Sequence, residues 1–178
     1  MKNTYFDNGA TSFPKPKELG DAMLHFVNNI GRNYGRTYGE LNLNVAKTVF
    51  ETRQLIADLL HVDSGDNVFF TLNATSAINT ILHSFLREGD HVVISHLEHH
   101  AVTRCLWHLI ETKGINVEFL NSHEDGTLDV ERMKEQVRDD TRLMIINHQS
   151  NVNGLMQDIG DVRKAFPHTK IMLDVAQS

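Results

Sequence analysis

The sequence predicts an α/β fold in which a mostly parallel sheet is flanked by helices. From Asn67 onward, short apolar runs alternate with longer segments of helical periodicity, a pattern typical of βαβ crossovers. Glycine or proline follows several of the helical segments, and both residue types commonly end helices. The chain has 178 residues, of which 40% are apolar, and this length is sufficient to bury a sizeable core.

Five short apolar runs are the candidate strands: 68–70, 91–95, 117–120, 143–146 and 171–173. Four segments with apolar residues at helical spacing are the candidate helices: 75–87, 101–112, 130–137 and 159–166. Gly89, Gly114 and Pro167 mark three expected helix ends, and Asp125 with Gly126 predicts a turn. Parallel sheets bind ligands at the carboxyl ends of their strands. The loops that follow the strands are therefore where we expect a site.

The N-terminal part of the chain differs from the rest. Residues 8–16 predict a loop, 17–30 a helix and 31–39 a second loop. A strong helical pattern opens at Asn44, which can cap it. Five apolar residues of that pattern are expected to share one face: Val45, Val49, Ile56, Leu59 and Leu60. The predicted domains are an N-terminal arm and loop segment, 1–43, and an α/β domain, 44–178.

Composition and charge exclude several classes of function. Seventeen Lys and Arg against 23 Asp and Glu give a net charge of −6, so nucleic acid and anionic membranes are not expected partners. The single cysteine excludes an internal disulfide and a cysteine-based zinc cluster. The sequence has neither a signal-peptide pattern nor a run near the ~20 apolar residues that span a bilayer. We therefore expect a cytoplasmic protein.

The loop after the first candidate strand, residues 71–79, consists mainly of small residues and leads into a helix. Free N–H groups and the helix dipole at such a junction suit a phosphate group. The glycine patterns of dinucleotide and P-loop sites do not occur in this loop. Ordinary helix capping by Asn73 or Thr75 is the alternative interpretation.

The loops after three later strands are polar. His96, His99 and His100 could hold a metal ion, could stack on a planar ligand and handle protons, or could be solvated surface residues. Residues 147–154 supply neutral donors for ligand oxygens, or form a hydrogen-bonded loop. Asp174 implies a cationic partner or solvent, because a lone carboxylate is costly to bury; the alternative is a helix cap.

Five segments, taken in order, carry a family pattern: 5–12 (YFDNGATS), 73–79 (NATSAIN), 98–101 (EHHA), 148–154 (HQSNVNG) and 173–178 (LDVAQS). Together they resemble the class V, fold-type I enzymes that use pyridoxal phosphate, and among these the cysteine desulfurases and selenocysteine lyases. The resemblance extends over essentially the whole chain. Gly9 stands where the family usually has Ala, and Ser76 stands where Glu is common.

The resemblance implies a cofactor role for seven residues. The backbone at Ala74 and Thr75 would hold the phosphate of pyridoxal 5′-phosphate at a helix start. His99 would stack on the pyridine ring and could transfer a proton; the choice of His99 over His100 comes from the family pattern. Asn151 would hydrogen-bond the ring oxygen.

The other three of these residues lie at the end of the chain. Gln177 would share the ring oxygen with Asn151, and Ala176 is small enough to lie under the ring. Asp174 would pair with the pyridinium nitrogen and keep it protonated, so that the ring can act as an electron sink. No metal ligand is expected.

The resemblance also implies parts that this sequence does not contain. The family's aldimine-forming lysine lies in a Ser-His-Lys context beyond the match to Ser178, and none of the lysines here has that context. The arginine that binds the substrate carboxylate, the persulfide cysteine and the C-terminal small domain belong to the same part. We therefore expect a C-terminally truncated, N-terminal fragment that is inactive by itself. Cys105 is expected to be a small buried hydrophobe and not a nucleophile.

For the complete enzyme the resemblance implies a homodimer that removes sulfur or selenium from L-cysteine, L-selenocysteine or a similar amino acid. An alternative from another class is a non-catalytic domain that binds a phosphate-bearing ligand or a protein partner. A truncated parallel sheet leaves an open strand edge and uncovered apolar surface, which favours pairing with another chain.

Overall fold

In the computed structural model, which describes residues 4–34 and 40–178, four short strands form one parallel sheet. The strands are β1 (His91–Ile94), β2 (Asn116–Phe119), β3 (Thr141–Asn147) and β4 (Ile171–Asp174). Their order in the sheet is β2-β1-β3-β4, and every neighbouring pair is parallel. The predicted mostly parallel α/β architecture is confirmed.

The described residues also form six α-helices: α1 (Lys17–His25), α2 (Glu40–Leu59), α3 (Ala74–Phe85), α4 (His100–Lys113), α5 (Val130–Met133) and α6 (Ile159–Ala165). A π-helical turn, Phe26–Ile30, continues α1, and a 3-10 turn, Gly65–Asn67, follows α2. Helices α4, α5 and α6 lie in the connections between consecutive strands, as parallel pairing requires.

Helices cover both faces of the sheet. Val92 and Ile94 of β1 belong to an apolar cluster that includes buried residues of α3 and α4. Val93, between them, belongs to a second cluster that includes Met133 of α5 and Val162 of α6. The division follows from the pleat, since successive side chains of a strand point to opposite faces. Because both faces are buried, β1 is apolar without alternation after its first residue.

The chain separates into two compact units. The first contains α1 and α2, and the second, residues 9–11 and 71–178, contains the sheet and α3 to α6. The domain boundary placed at residue 43 from sequence stays a prediction. Within the predicted loop 31–39, residues 35–39 lie outside the described residues. None of the helices that the structure describes is long and apolar enough to cross a membrane.

The predicted start of α2 is wrong. The helix begins at Glu40, and Asn44 lies inside it, where its backbone carbonyl accepts a hydrogen bond from Thr48 Oγ1 at 2.9 Å. Of the five apolar residues expected on one face, Val45 is buried but Leu59 and Leu60 are exposed. The apolar residues at helical spacing therefore extend further along the chain than the part of α2 that is buried.

The first predicted strand, 68–70, is also wrong. The backbone at Val68 is extended, with φ −101° and ψ 123°, but none of the described residues forms a sheet partner for it. The Val68 carbonyl instead accepts a hydrogen bond from Arg53 Nε at 2.7 Å, and Phe69 and Phe70 are exposed. Apolar and aromatic residues favour extended backbone, but a strand forms only where another strand completes its hydrogen bonds.

The predicted helix 130–137 is shorter than expected. Helix α5 ends at Met133, and turns follow it. Gln136 lies in these turns and bonds to the chain just after β2: its Nε2 donates to the Phe119 carbonyl at 2.6 Å, and its Oε1 accepts from Asn121 N at 2.6 Å. These contacts fix the turns against the sheet.

Candidate functional site

A cavity of about 210 Å³ opens at the carboxyl ends of the strands. Its walls come from the starts of α3 and α4 and from the segments that follow β3 and β4, all within the second unit. The lining residues are Asn73, Ala74, Thr75, Ile78, His99, Ala101, Asn147, Asn151, Asp174, Ala176 and Gln177. All seven residues to which the sequence resemblance assigns a cofactor role are among them.

The start of α3 forms one wall with free backbone donors. Asn73 caps the helix, and its Oδ1 accepts a hydrogen bond from Ser76 N at 2.8 Å. The N–H groups of Ala74 and Thr75 also belong to the first turn, where α-helical geometry provides no intrahelical acceptor. Capping by Asn73 and an anion site at Ala74 and Thr75 are therefore compatible, because they use different N–H groups.

His99 has two structural roles at the start of α4. Its ring lines the cavity, and its Nδ1 caps the helix by accepting a hydrogen bond from Ala101 N at 3.1 Å. Because the backbone N–H is the donor, Nδ1 carries a lone pair and the neutral ring holds its proton on Nε2. The ring of His100 lies 6.2 Å from that of His99, between centroids, and borders an adjoining groove instead of this cavity.

Asp174 ends β4 and supplies a carboxyl group to the lining of the cavity. It is buried, and its Oδ1 accepts a hydrogen bond from Ala176 N at 3.0 Å, which closes a turn directly after β4. The backbone ladder continues to this point, since His148 N donates to the Asp174 carbonyl at 3.0 Å. A carboxylate accepts several hydrogen bonds, so this group can also accept one from a cationic nitrogen in the cavity.

Asn151 lies at the turn of a loop that leaves β3 and doubles back. An isolated antiparallel bridge joins Gln149 and Met156, and Ser150 N donates to the Leu155 carbonyl at 2.9 Å. The buried Gln157 anchors the base of the loop, because its amide bonds to Leu128 N and to the Gly126 carbonyl, at 2.9 and 3.0 Å. The exposed Asn151 is thus held on an ordered loop.

Gln177 lies close to Gly9, one of the two positions that depart from the family pattern. A Cβ atom at Gly9 would meet Gln177 Oε1 closer than any normal contact allows. Glycine at this position therefore leaves room for the Gln177 amide in its present orientation at the cavity.

Beside the cavity, Glu98 received no role from the sequence, and its partner Asn147 was predicted only as one of the neutral donors of residues 147–154. Asn147, at the end of β3, donates from its backbone N to Glu98 Oε1 at 2.6 Å and from its side-chain Nδ2 to the Leu97 carbonyl at 2.8 Å. Glu98 Oε1 also accepts from Ser95 Oγ at 2.6 Å. The signal that was available is a glutamate only four residues after a fully apolar strand end, within the segment that also carries His99.

Glu98 has the most perturbed acidity near the site. Burial, the largest cause, raises its pKa from 4.5 to about 7, and the like charge of Asp174 contributes in the same direction. The hydrogen bonds from Ser95 and Asn147 oppose this shift because they favour the charged form.

Two further sequence predictions concern His96 and Cys105. His96 stacks on Phe119, with ring centroids 5.0 Å apart and planes 12° from parallel. Within residues 4–34 and 40–178, no three His, Cys, Asp or Glu side chains are grouped so as to hold a metal ion. Cys105 is buried in the apolar cluster of α3 and α4, and burial raises the pKa of its thiol, so the prediction of a core residue is confirmed.

The donor set of the cavity fits a planar, phosphorylated ring with a cationic nitrogen. Backbone N–H groups on one wall match a phosphate, and the carboxyl group of Asp174 matches a protonated ring nitrogen. No lysine is among the described residues that line the cavity. This combination at the strand ends of a parallel sheet is the arrangement of an α/β enzyme domain for a phosphorylated cofactor.

Comparison with known proteins gives the family. Residues 4–178 match the sequence profile of the aminotransferase class-V family, and the chain belongs to this family of pyridoxal-phosphate-dependent enzymes. A protein named "Probable cysteine desulfurase" in Methanothermobacter thermautotrophicus is 30% identical over 99% of this chain. The match covers 44% of that relative, so the chain spans under half of its length.

Solved structures agree with this assignment. The apo structure of cysteine desulfurase from Thermococcus onnurineus superposes with a TM-score of 0.85 at 25% identity, over 96% of this chain and 43% of that one. A structure of SspA in complex with cysteine superposes with a TM-score of 0.84 at 26% identity, over 99% of this chain and 51% of that one.

Proposed function

We propose that this chain forms the pyridoxal-phosphate-binding part of a cysteine desulfurase-like enzyme. The observation that supports this most directly is that the seven residues named from the sequence line one cavity. When bound, the cofactor supplies an electron sink for negative charge that develops on an amino-acid substrate. L-Cysteine is the substrate that the named relatives favour, with L-selenocysteine as the alternative.

In this proposal the two ends of the cavity bind the two charged ends of the cofactor. The N–H groups of Ala74 and Thr75 bind the phosphate, where the helix dipole adds to the hydrogen bonds. Asp174 accepts a hydrogen bond from the protonated ring nitrogen. Because Asp174 is buried, water competes little for this bond. Ala176 follows directly on the Asp174 turn and leaves space for the flat ring.

The remaining three residues orient the ring. His99 covers one face of the ring, and its Nε2–H, fixed by the cap at Nδ1, can donate a hydrogen bond. The side-chain amides of Asn151 and Gln177 donate to the ring oxygen. These two amides are neutral donors, so they stabilise the ring oxygen as an anion.

We further propose that these 178 residues bind the cofactor without turning over substrate. The eight lysines of the sequence lack the family context for the covalent anchor, and the described cavity lining contains none. With cofactor and L-cysteine the chain should therefore release no sulfide above a control that contains cofactor alone. A homodimer and a cytoplasmic location are proposed for the complete enzyme.

The test uses pyridoxamine 5′-phosphate, because an amine in place of the aldehyde cannot condense with surface lysines. Calorimetric titration should give saturable binding of one equivalent to the 178-residue chain. Asp174→Asn should weaken binding about 10- to 100-fold, the range expected for loss of a charge-assisted hydrogen bond of roughly 1.5–3 kcal/mol. Asp140→Asn is the matched control, since its carboxylate is exposed and pairs with Arg138 at the surface.

The same titration separates this proposal from the alternative of a non-catalytic phosphate-ligand domain. If inorganic phosphate binds as tightly as pyridoxamine 5′-phosphate and Asp174→Asn leaves both unchanged, the ring contributes nothing and the cofactor proposal is wrong. The alternative of protein binding predicts association with another chain, which light scattering after size exclusion detects.

A further inference from the structure

Glu98 joins the ends of two neighbouring strands beside the cavity. Its Oε1 accepts hydrogen bonds from Ser95 Oγ, which directly follows β1, and from the backbone N of Asn147, which ends β3; both distances are 2.6 Å. Ser95 and Asn147 are almost fully buried, at 1% and 4% exposure. The carboxyl group therefore connects β1 to β3 where their backbone ladder ends.

These contacts also connect the two principal walls of the cavity. Glu98 directly precedes His99, the cap of α4. Asn147 is the register partner of Asp174 in the β3–β4 pair, and its Nδ2 donates to the Leu97 carbonyl at 2.8 Å. The segment 97–98 therefore contacts Asn147 twice, and through Asn147 the position of His99 is set relative to Asp174.

The second oxygen of Glu98 indicates which form of the carboxyl group is present. Glu98 Oε2 is buried and has no hydrogen-bond partner among the described residues. An ionised carboxylate with an unpartnered, buried oxygen is strongly disfavoured, whereas a neutral acid with its proton on Oε2 leaves only an unpaired hydroxyl, which costs much less. The pKa of about 7 agrees with this geometry.

The charged neighbour of Glu98 also favours the neutral form of its carboxyl group. Asp174, at the end of β4, is the charged group that acts on Glu98, and its like charge disfavours a second carboxylate. From β1 and β3 the contacts are Ser95 and Asn147, which are both neutral donors.

We propose that Glu98 is a positioning residue that holds a proton on Oε2, so that one negative charge, that of Asp174, faces the cavity while Glu98 fixes His99 against β3. The inference rests on the proposed cofactor function for its consequence at the ligand, but the proton on Glu98 is a property of the chain alone. Ionisation of Glu98 would add a second buried charge beside Asp174 while Oε2 has no partner. The carboxyl group would relieve this cost by turning toward water and away from β1 and β3.

The decisive measurement is an NMR titration of the ligand-free chain, labelled with ¹³C at the glutamate side-chain carboxyl and with ¹⁵N. One carboxyl carbon should titrate with a midpoint near 7, and this signal should be missing from Glu98→Gln. The amide resonance of Asn147, whose N–H donates to Oε1, should follow the same midpoint in the parent chain and stay constant in the Gln variant. If every glutamate titrates below pH 6, the proposal is wrong.

Two substitutions move the midpoint in opposite directions, which a purely structural role would not produce. Ser95→Ala removes a donor that favours the charged form, so the midpoint should rise; Asp174→Asn removes the like charge, so it should fall. These variants also decide the proposal if Glu98→Gln does not fold.

Ligand binding tests the positioning role. The Glu98→Gln variant retains an acceptor for Ser95 and Asn147 and does not ionise at this position. It should therefore bind pyridoxamine 5′-phosphate like the parent chain at pH 6. At pH 8 the parent should bind about tenfold more weakly than Glu98→Gln, because only about one molecule in eleven keeps the proton when the midpoint is 7. An equal pH dependence in both proteins overturns the positioning role. Absence of binding by both at every pH, with the NMR titration intact, refutes the cofactor function only.

Discussion

Raising the pH from 5 to 8 should destabilise the second unit through one carboxyl group, that of Glu98. Its pKa is 4.5 in the unfolded chain and about 7 in the folded one. Between these values the unfolded state has released the proton and the folded state keeps it, so unfolding is increasingly favoured as the pH rises. The stability contribution is complete below pH 4.5 and is lost as the pH rises to 7.

The magnitude follows from the two pKa values. Their difference, at about 1.4 kcal/mol per pH unit, corresponds to about 3 kcal/mol, most of which is lost between pH 5 and 8. Glu98→Gln does not titrate and should escape this loss. The free energy of unfolding of the variant minus that of the parent chain should therefore increase by about 2–3 kcal/mol between pH 5 and 8.

Urea denaturation at four pH values, followed by far-ultraviolet circular dichroism and by the fluorescence of the single tryptophan, Trp107 of α4, measures the difference directly. All other ionisable groups are the same in the two proteins, so their contributions to the pH dependence cancel in the comparison. A difference between the two proteins that stays constant from pH 5 to 8 would refute the argument.

Three further predictions concern single hydrogen bonds or backbone angles. Asn73→Ala removes the cap of α3 and should lower the free energy of unfolding by about 1 kcal/mol; an unchanged urea midpoint would contradict the capping role. Gly114→Ala forces a left-handed φ of 58° with open space around the new methyl group, so thermal unfolding should show a loss of about 1 kcal/mol, whereas Gly20→Ala in α1 should be neutral or stabilising. Gln157→Ala leaves the buried Leu128 N–H and the partly buried Gly126 carbonyl without their partner and should cost about 1–3 kcal/mol, with faster amide exchange at residue 128 as the local signature.

The sheet could be predicted because its strands have a strong local signal. Strand β1 is buried throughout and the last five residues of β3 are buried, so both appear in the sequence as short, nearly continuous apolar runs. The run at 68–70 has the same composition, yet it forms no strand in the described chain. Composition reports a preference for extended backbone, whereas pairing depends on residues far away in sequence.

The residues of the candidate site were predicted partly from local chemistry and partly from the family resemblance. The helix start at Ala74 follows from capping chemistry, but the roles of Asn151 and Gln177 came only from the family resemblance. Glu98 was quoted within a motif and assigned no role, because its burial and its bond to Asn147 join residues 49 positions apart. A perturbed acid of this kind becomes visible only when the strands have been placed side by side.

The cap on α4 makes the His99 ring a reporter of what enters the cavity. The same imidazole accepts the Ala101 N–H with Nδ1 and also lines the cavity. A ligand that turned the ring or placed a proton on Nδ1 would release that N–H, and the first turn of α4 would open to solvent. Deuterium uptake at the Ala101 amide therefore distinguishes a ligand that leaves the His99 ring in place from one that displaces it.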